Sequence, residues 1–338
     1  MTTRSNMLVA CRKLPVARRA VLLGCLASPV LASPTRAQGG GFPSRPIRLV
    51  LGAGPGSAPD VAARLMSERL SALWRQPVVI DNRPAANGNL AAQLVAGAEA
   101  DGHALLFAQA SILILNEFLM RNPGFAAERD FAPLSMLMAT PFLIATRPGL
   151  PANTLSELVA MARARPGQMT FATSSGTNLP RFAGELLKRA AGIDMVNVPY
   201  SSIAGAVQDT IAGRTDIMIE GTPVLSPQVR AGAMKPIAIT SAQPFPGLEV
   251  APVALDFPGF NSVGWFGLVG PKAMPTALVQ RIAGDVRAVL AVPEMRDRLA
   301  RDFGAETVAS EPDDFAGFLA RERETYGRLI RELGVVID

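Results

Sequence analysis

The order strand, small-residue loop, helix, strand occurs twice in this chain, over residues 47–80 and again over 169–198. In the first unit, residues 47–51 and 77–80 are short apolar runs and 52–59 (GAGPGSAP) is a Gly/Pro loop. Between them Val61, Leu65, Leu70, Leu73 and Trp74 approximate helical periodicity behind Asp60, which the pattern predicts as the N-cap. In the second unit, strands over 169–172 and 195–198 flank the loop 173–178 (TSSGTN) and a helix over 179–191 that ends at Gly192. Short apolar strands alternating with helices are the grammar of a parallel sheet covered on its faces, so the class is α/β. Recurrence at this distance reads as one architectural unit used in two lobes, not as a short tandem repeat.

The remaining segments extend that pattern. A turn-rich stretch, 81–89, leads to a helix over 90–98 and a strand over 103–107. Residues 133–145 hold two apolar runs split by Pro141, and 151–165 reads as a helix ended by Pro166-Gly167. A helix over 203–212 and strands over 216–219 and 236–240 precede a Pro-rich loop, 243–259. A strand-like run, 262–269, and helices over 275–289, 293–302 and 312–333 complete the chain, with Ser310 and Asp313 in capping-box spacing before the last helix.

With 338 residues, 49% hydrophobic and 18% charged, the chain is long enough for two domains and too apolar for disorder. His103 is the one histidine, and Cys11 and Cys25 are the two cysteines. This excludes Cys/His zinc clusters, iron–sulfur centres and a multi-disulfide framework, and no metal site or cofactor is expected. A Ser-His-Asp mechanism would have to run through His103, which at a strand start reads as structural. The aromatic share of 6% argues against a stacking platform for single-stranded nucleic acid. The net charge of +5 is a leader effect. Arg4, Arg12, Lys13, Arg18, Arg19 and Arg36 lie in the first 37 residues with no acid; without those six, 27 of the 33 basic residues remain against 28 acidic, a net charge of −1. No nucleic-acid partner is implied.

Residues 1–37 read as a cleaved export signal: a basic n-region ending at Arg18-Arg19, an uncharged stretch over 20–32, and a small-x-small exit at Thr35-Arg36-Ala37. The new N-terminus is then Gln38, with cleavage after Ala32 as the alternative. The uncharged stretch is too short to span a bilayer and is interrupted by Pro29. The Arg18-Arg19 pair leaves twin-arginine export open, and Leu22-Leu23-Gly24-Cys25 has the look of a lipoprotein box with too few apolar residues before the cysteine. The expected location is periplasmic, and the mature chain contains no cysteine.

Of the two loops, 52–56 has the spacing G-x-G-x-G, which fits neither the dinucleotide fingerprint nor the P-loop. Unpaired amides at a helix start can nonetheless receive a carboxylate. The 173–178 loop offers four hydroxyls at the matching place. Two such loops in two similar units point to a shared cleft. No G-x-S-x-G elbow is present, and the acids Asp313-Asp314 and Glu322/Glu324 read as solvated or capping groups on the last helix.

A set of motifs distributed over 43–336 resembles the Bug-type, or tripartite tricarboxylate transporter, solute-binding receptors. These are Pro43-Ser44-Arg45-Pro46-Ile47-Arg48-Leu49-Val50, the loop ending at Asp60, Val79-Ile80-Asp81-Asn82-Arg83-Pro84, and Asp101-Gly102-His103-Ala104-Leu105-Leu106-Phe107. Further on come Arg129-Asp130-Phe131-Ala132-Pro133, Ala183-Gly184-Glu185-Leu186, Val198-Pro199-Tyr200, Trp265-Phe266-Gly267-Leu268 and Gly304-Ala305-Glu306. The resemblance implies a two-lobed, type II periplasmic-binding-protein-like fold, with a mostly parallel sheet flanked by helices in each lobe and a hinge between them. The implied lobes are 43–143 plus 261–338, and 144–260. It also implies a small mono- or dicarboxylic acid held between the lobes, delivery to the permease subunits of a tripartite tricarboxylate transporter, and a monomer without catalysis. The candidate ligand-binding residues are Gly56, Ser57, Ala58, Asp60, Asn87, Gly88, Gln109 and Ser111 on one side. On the other they are Ser174, Ser175, Gly176, Thr177, Tyr200, Ser201 and Glu220. The chain departs from the family pattern at Ser57, where glycine is common, at Glu220, where aspartate is usual, and at Ser201-Ser202 in place of Lys-Gly. A ligand-sensing subunit feeding a membrane kinase, or a periplasmic enzyme using the same cleft, are the alternatives.

Overall fold

The computed structural model describes residues 41–246 and 248–337; the segment expected to be an export signal, with its expected cleavage site, lies outside the described residues. In chain order, β1 (Ile47–Leu51), α1 (Ala58–Trp74), β2 (Val78–Asn82), α2 (Asn89–Ala96) and β3 (Ala104–Gln109) open the fold. A π-helical turn, Ser111–Leu115, leads through the short α3 (Asn116–Leu119) and α4 (Ala127–Asp130) to the long β4 (Phe131–Thr146). The second unit follows as α5 (Leu155–Ala164), β5 (Thr170–Thr173), α6 (Leu179–Ala191), β6 (Val196–Pro199), α7 (Ile203–Ile211) and β7 (Ile217–Gly221). Then come α8 (Thr222–Arg230), β8 (Lys235–Ile239), α9 (Val253–Asp256) and β9 (Val263–Pro271). The chain closes with α10 (Thr276–Ala291), α11 (Pro293–Phe303), β10 (Glu306–Thr307) and α12 (Pro312–Leu333).

The strands are ordered β2-β1-β3-β9-β4-β7-β5-β6. The two predicted β-α-β units are parallel: β1 lies between β2 and β3, and β5 between β6 and β7. The centre is antiparallel, because β9 returns beside β3 and β4, and β4 runs against β7 and β8. The sheet is therefore mixed, with helices on its faces.

β4 corrects the division of 133–145 into two runs. It is one strand, and Pro141 marks the place where its partner changes. Residues 131–141 pair with β9, and residues 142–146 pair with β7 and β8. Proline has no N–H to give a ladder, so it is tolerated where a ladder ends. A run that looks interrupted in sequence is thus continuous in space and joins two half-sheets.

Two predicted caps are also corrected. α1 begins at Ala58 behind Ser57, and Asp60 lies inside its first turn. α12 begins behind Glu311 without a side-chain cap. Ser310 instead accepts the amide of Met136 on β4 at 2.9 Å, while its carbonyl accepts from Ser135 Oγ at 2.8 Å. A tertiary partner has taken the hydroxyl that the spacing offered to the helix.

α12 presents Phe315, Tyr326, Leu329 and Ile330 to the core, as its apolar stripe requires. Phe315 reaches the sheet over Gly267, where any Cβ would stand 2.3 Å from the ring. Glu322 corrects the assignment of the Glu322/Glu324 pair to solvent: Glu324 is exposed, but Glu322 is 7% exposed and faces inward. Its Oε2 accepts from Trp265 Nε1 at 3.4 Å. Burial, opposed by the Trp265 hydrogen bond and by Arg321, pushes its carboxyl up to about 7.

His103 is structural. It is buried, its Nε2 accepts the amide of Ser44 at 3.1 Å, and its Nδ1 lies 3.2 Å from Asp101 Oδ2.

Candidate functional site

Where β4 changes partner, a cavity of ≈ 290 Å³ opens between the two half-sheets. It lies beyond the C-terminal ends of β3 and β7, the position where open α/β sheets bind ligands. Its polar lining is Gln109, Ser111, Thr140, Asn178 and Glu220. Its apolar walls are Ala110, Phe142, Leu179, Pro180, Gly264, Trp265 and Phe266.

The loops near this cavity are ordered from within. Gly56 takes a φ of +78°, and its amide donates to Asp60 Oδ2 at 2.9 Å. Asp60 also accepts from Arg64 at 2.9 and 3.1 Å and from Asn82 Nδ2 at 2.9 Å, and Asn82 holds the carbonyl of Ala53 at 3.0 Å. The Arg64 hydrogen bonds, assisted by Gly56 and Asn82 against the cost of burial, hold the Asp60 carboxyl down at about 2. Ser57 is likewise turned inward: its amide and hydroxyl both donate to Gly54 O, at 3.3 and 2.7 Å. The amides of Gly56 and Ser57, expected to face a ligand, are thus spent inside the loop, which leaves Ala58 at the opening of α1.

Gly52 and Gly88 (φ +85°) bring the first loop against the turn at 86–88. A Cβ on Gly88 would stand 2.7 Å from Gly52 O, and one on Gly52 would stand 2.3 Å from Ile112 Cδ1. Ile112 follows Ser111 in the π-helical turn, a device that often marks functional positions. Asn87 is exposed, and its carbonyl accepts from Asn116 at 3.1 Å.

On the other side Asn178 caps α6 by accepting from Arg181 N at 3.2 Å, and its Nδ2 donates to Ser174 Oγ at 2.9 Å. Ser174 in turn donates to Glu220 Oε2, while Glu220 Oε1 accepts the amide of Gly221 at 3.0 Å. Ser175 Oγ accepts from Thr177 N at 3.2 Å, and Arg181 donates to Gly176 O. Tyr200 is held away from this network: its hydroxyl donates to Asp209 at 3.0 Å. Burial and that aspartate push the phenol up. Ser201 is exposed beside it.

Of the sequence candidates, Gln109, Ser111 and Glu220 meet in the cavity wall, and Ser174 reaches it through Glu220. Gly56, Ser57, Ala58, Asp60, Asn87 and Gly88 belong to the first loop and its neighbours, and Ser175, Gly176, Thr177, Tyr200 and Ser201 do not line the cavity. Sequence reasoning missed Thr140, Phe142 and the aromatic wall as site residues. The one available signal for the wall was the Gly264-Trp265-Phe266-Gly267 run, where two large rings stand between glycines. Among the described residues, no group of three or more His, Cys, Asp or Glu could hold a metal ion.

A cavity between two α/β half-sheets, walled by rings and edged by helix-start loops, is the arrangement of a solute-binding receptor. Residues 62–335 match the tripartite tricarboxylate transporter family receptor profile, and the chain belongs to that family. It is 32% identical over 322 residues to a UPF0065 protein from the tcbD-tcbE intergenic region of Pseudomonas sp. (strain P51), covering 94% of this chain and 95% of the relative. Among solved structures, R. palustris Rpa4515 with adipate superposes with a TM-score of 0.71 at 29% identity, over 88% of this chain and 99% of that one. MatC (Rpa3494) from Rhodopseudomonas palustris with bound malate gives 0.67 at 26% identity, over 86% and 100%. The periplasmic binding protein BugD gives 0.66 at 25% identity, over 87% and 99%. The fold and family are those of a TctC/Bug-type periplasmic solute-binding receptor.

Proposed function

We propose that this protein captures a small carboxylic acid in the cavity between the half-sheets and delivers it to the membrane permease of a tripartite tricarboxylate transporter. The observation that carries the reading is the cavity's position: it is bounded by the ends of β3 and β7 and by the start of α6, where the second helix-start loop reaches the lining at Asn178. The acid's carboxylate lies on the Gln109, Ser111 and Ala58 side, and its other end meets the 174–177 loop and Glu220. The lobes that close on it are 43–143 plus 261–338, and 144–260, with the chain crossing between them twice. Cleavage after Ala37 releases the mature receptor to the periplasm, and N-terminal sequencing of exported protein reads Gln38.

The energetics suffice without a cation in the pocket. Charge-assisted hydrogen bonds contribute about 1.5–3 kcal/mol each. Three or four of these, less the entropy of immobilising the ligand, reach micromolar affinity, about −8 kcal/mol. Capture rather than turnover fits the side chains: Ser174 touches Glu220, but no histidine or lysine lines the cavity beside them.

Calorimetry with a panel of carboxylic acids tests the site through Ser175→Pro, which removes an amide donor and a hydroxyl from the second loop. The folded variant, checked by circular dichroism, is expected to bind the acid at least tenfold more weakly. Unchanged affinity would remove the second loop from the site.

A further inference from the structure

The cavity is chemically asymmetric, and this narrows what it accepts. Its lining contains one carboxyl group, Glu220, and no lysine, arginine or histidine. Both oxygens of Glu220 already accept one hydrogen bond, from Ser174 and from Gly221. A carboxylate oxygen has further lone pairs and no proton to give, so a ligand atom placed here must donate. A second carboxylate set directly on Glu220 would face like charge, and Arg181, the cation at this loop, is turned away to Gly176 O. The opposite end differs. Among the described residues, no hydrogen bond occupies the side chains of Gln109 and Ser111, whose N–H and O–H groups are free to donate to an anion.

Between these ends the wall is aromatic and fixed. Trp265 is wedged edge-on between Phe315 and Phe318 at 5.5 and 5.8 Å, and its indole N–H is tied to Glu322. Phe266 stands 5.5 Å from Phe107, and Phe142 completes the wall across Gly264. Large flat side chains held by their neighbours favour a flat apolar ligand body over a flexible polar chain.

We infer that the ligand of this receptor is a monocarboxylic acid with a flat, ring-like apolar body and a hydroxyl or amino donor at the far end, its carboxylate at Gln109 and Ser111 and its donor on Glu220. This rests on the reading of the chain as a carboxylic-acid receptor. Glu220 and Trp265 are then the residues that set specificity.

Titration calorimetry with 4-hydroxybenzoate, benzoate, adipate and malate tests it, on the parent protein and on Glu220→Gln. The parent is expected to bind 4-hydroxybenzoate at least tenfold more tightly than benzoate, adipate or malate. Glu220→Gln, which removes the charge and keeps the shape, is expected to shrink that preference several-fold and to tighten adipate. Adipate or malate binding the parent as tightly as 4-hydroxybenzoate would overturn the inference while leaving the receptor reading intact. No binding by any of the four acids to folded parent protein would overturn both. Equal preference in the parent and in a folded Glu220→Gln would remove Glu220 as the discriminating group and overturn the inference.

Discussion

Two buried carboxyl groups do opposite things in this molecule, and each has a pH signature. Asp60 is held low by Arg64, Gly56 and Asn82, so its folded pKa of about 2 lies below the ordinary 3.8. Its contribution is present above about pH 4 and is lost as the pH falls through 2. Asp60→Asn is expected to cost about 1–3 kcal/mol at neutral pH, read by urea unfolding, and to flatten the acid limb of the stability profile. Glu322 lies behind the cavity wall with a folded pKa of about 7 against an ordinary 4.5. Between those values the folded state holds more protons than the unfolded one, so stability falls as the pH rises from about 4.5 through 7. Glu322→Gln keeps the hydrogen bond from Trp265 and removes the ionisation. It is expected to match the parent near pH 5 and to exceed it at pH 8 by up to about 3 kcal/mol. Urea melts at both pH values check this, and a variant less stable than the parent at pH 8 would show that the buried carboxylate is compensated.

At the scale of elements, the site depends on close backbone approach between loops. Gly88→Ala would place a Cβ in a left-handed position 2.7 Å from Gly52 O. The expected cost is about 1–3 kcal/mol together with weaker ligand binding, because the first loop must move. Unfolding and calorimetry on the same sample separate the two effects. The repeated strand–loop–helix unit was legible in the sequence because periodicity and small-residue loops report local structure, and both parallel triplets, β1/β2/β3 and β5/β6/β7, follow from it. What was not legible depends on tertiary partners. Nothing local distinguishes Glu322 from Glu324; only the sheet beneath α12 does. Pro141 looks like a break until β9 and β7 are seen to share β4. α8 is obscured by Pro223 and Pro227, which occupy its first turn and its interior. For the site, the polar loops could be read from sequence, whereas the aromatic wall left only the 264–267 run as a signal, since Phe142 and Trp265 are far apart in the chain and line one cavity only in the folded sheet.

For the whole molecule, the account is a receptor whose halves close on a ligand held between them. β4 passes from one half-sheet to the other at Pro141, and the chain returns near Phe260 before β9. A saturating acid is expected to lower the radius of gyration in small-angle X-ray scattering, and an unchanged radius would indicate a rigid pocket. Elsewhere on the described surface an apolar groove of ≈ 210 Å³ runs beside Leu319, Lys272 and Arg323. It could also receive an amphipathic acid, so affinity alone does not locate the ligand. A co-crystal structure with the tightest-binding acid from the panel does. The account predicts density between the 52–58 and 174–177 loops, with the carboxylate on Gln109 and Ser111 and the ligand body against Trp265; density in the groove beside Lys272, with the inter-loop cavity filled only by water, would contradict it.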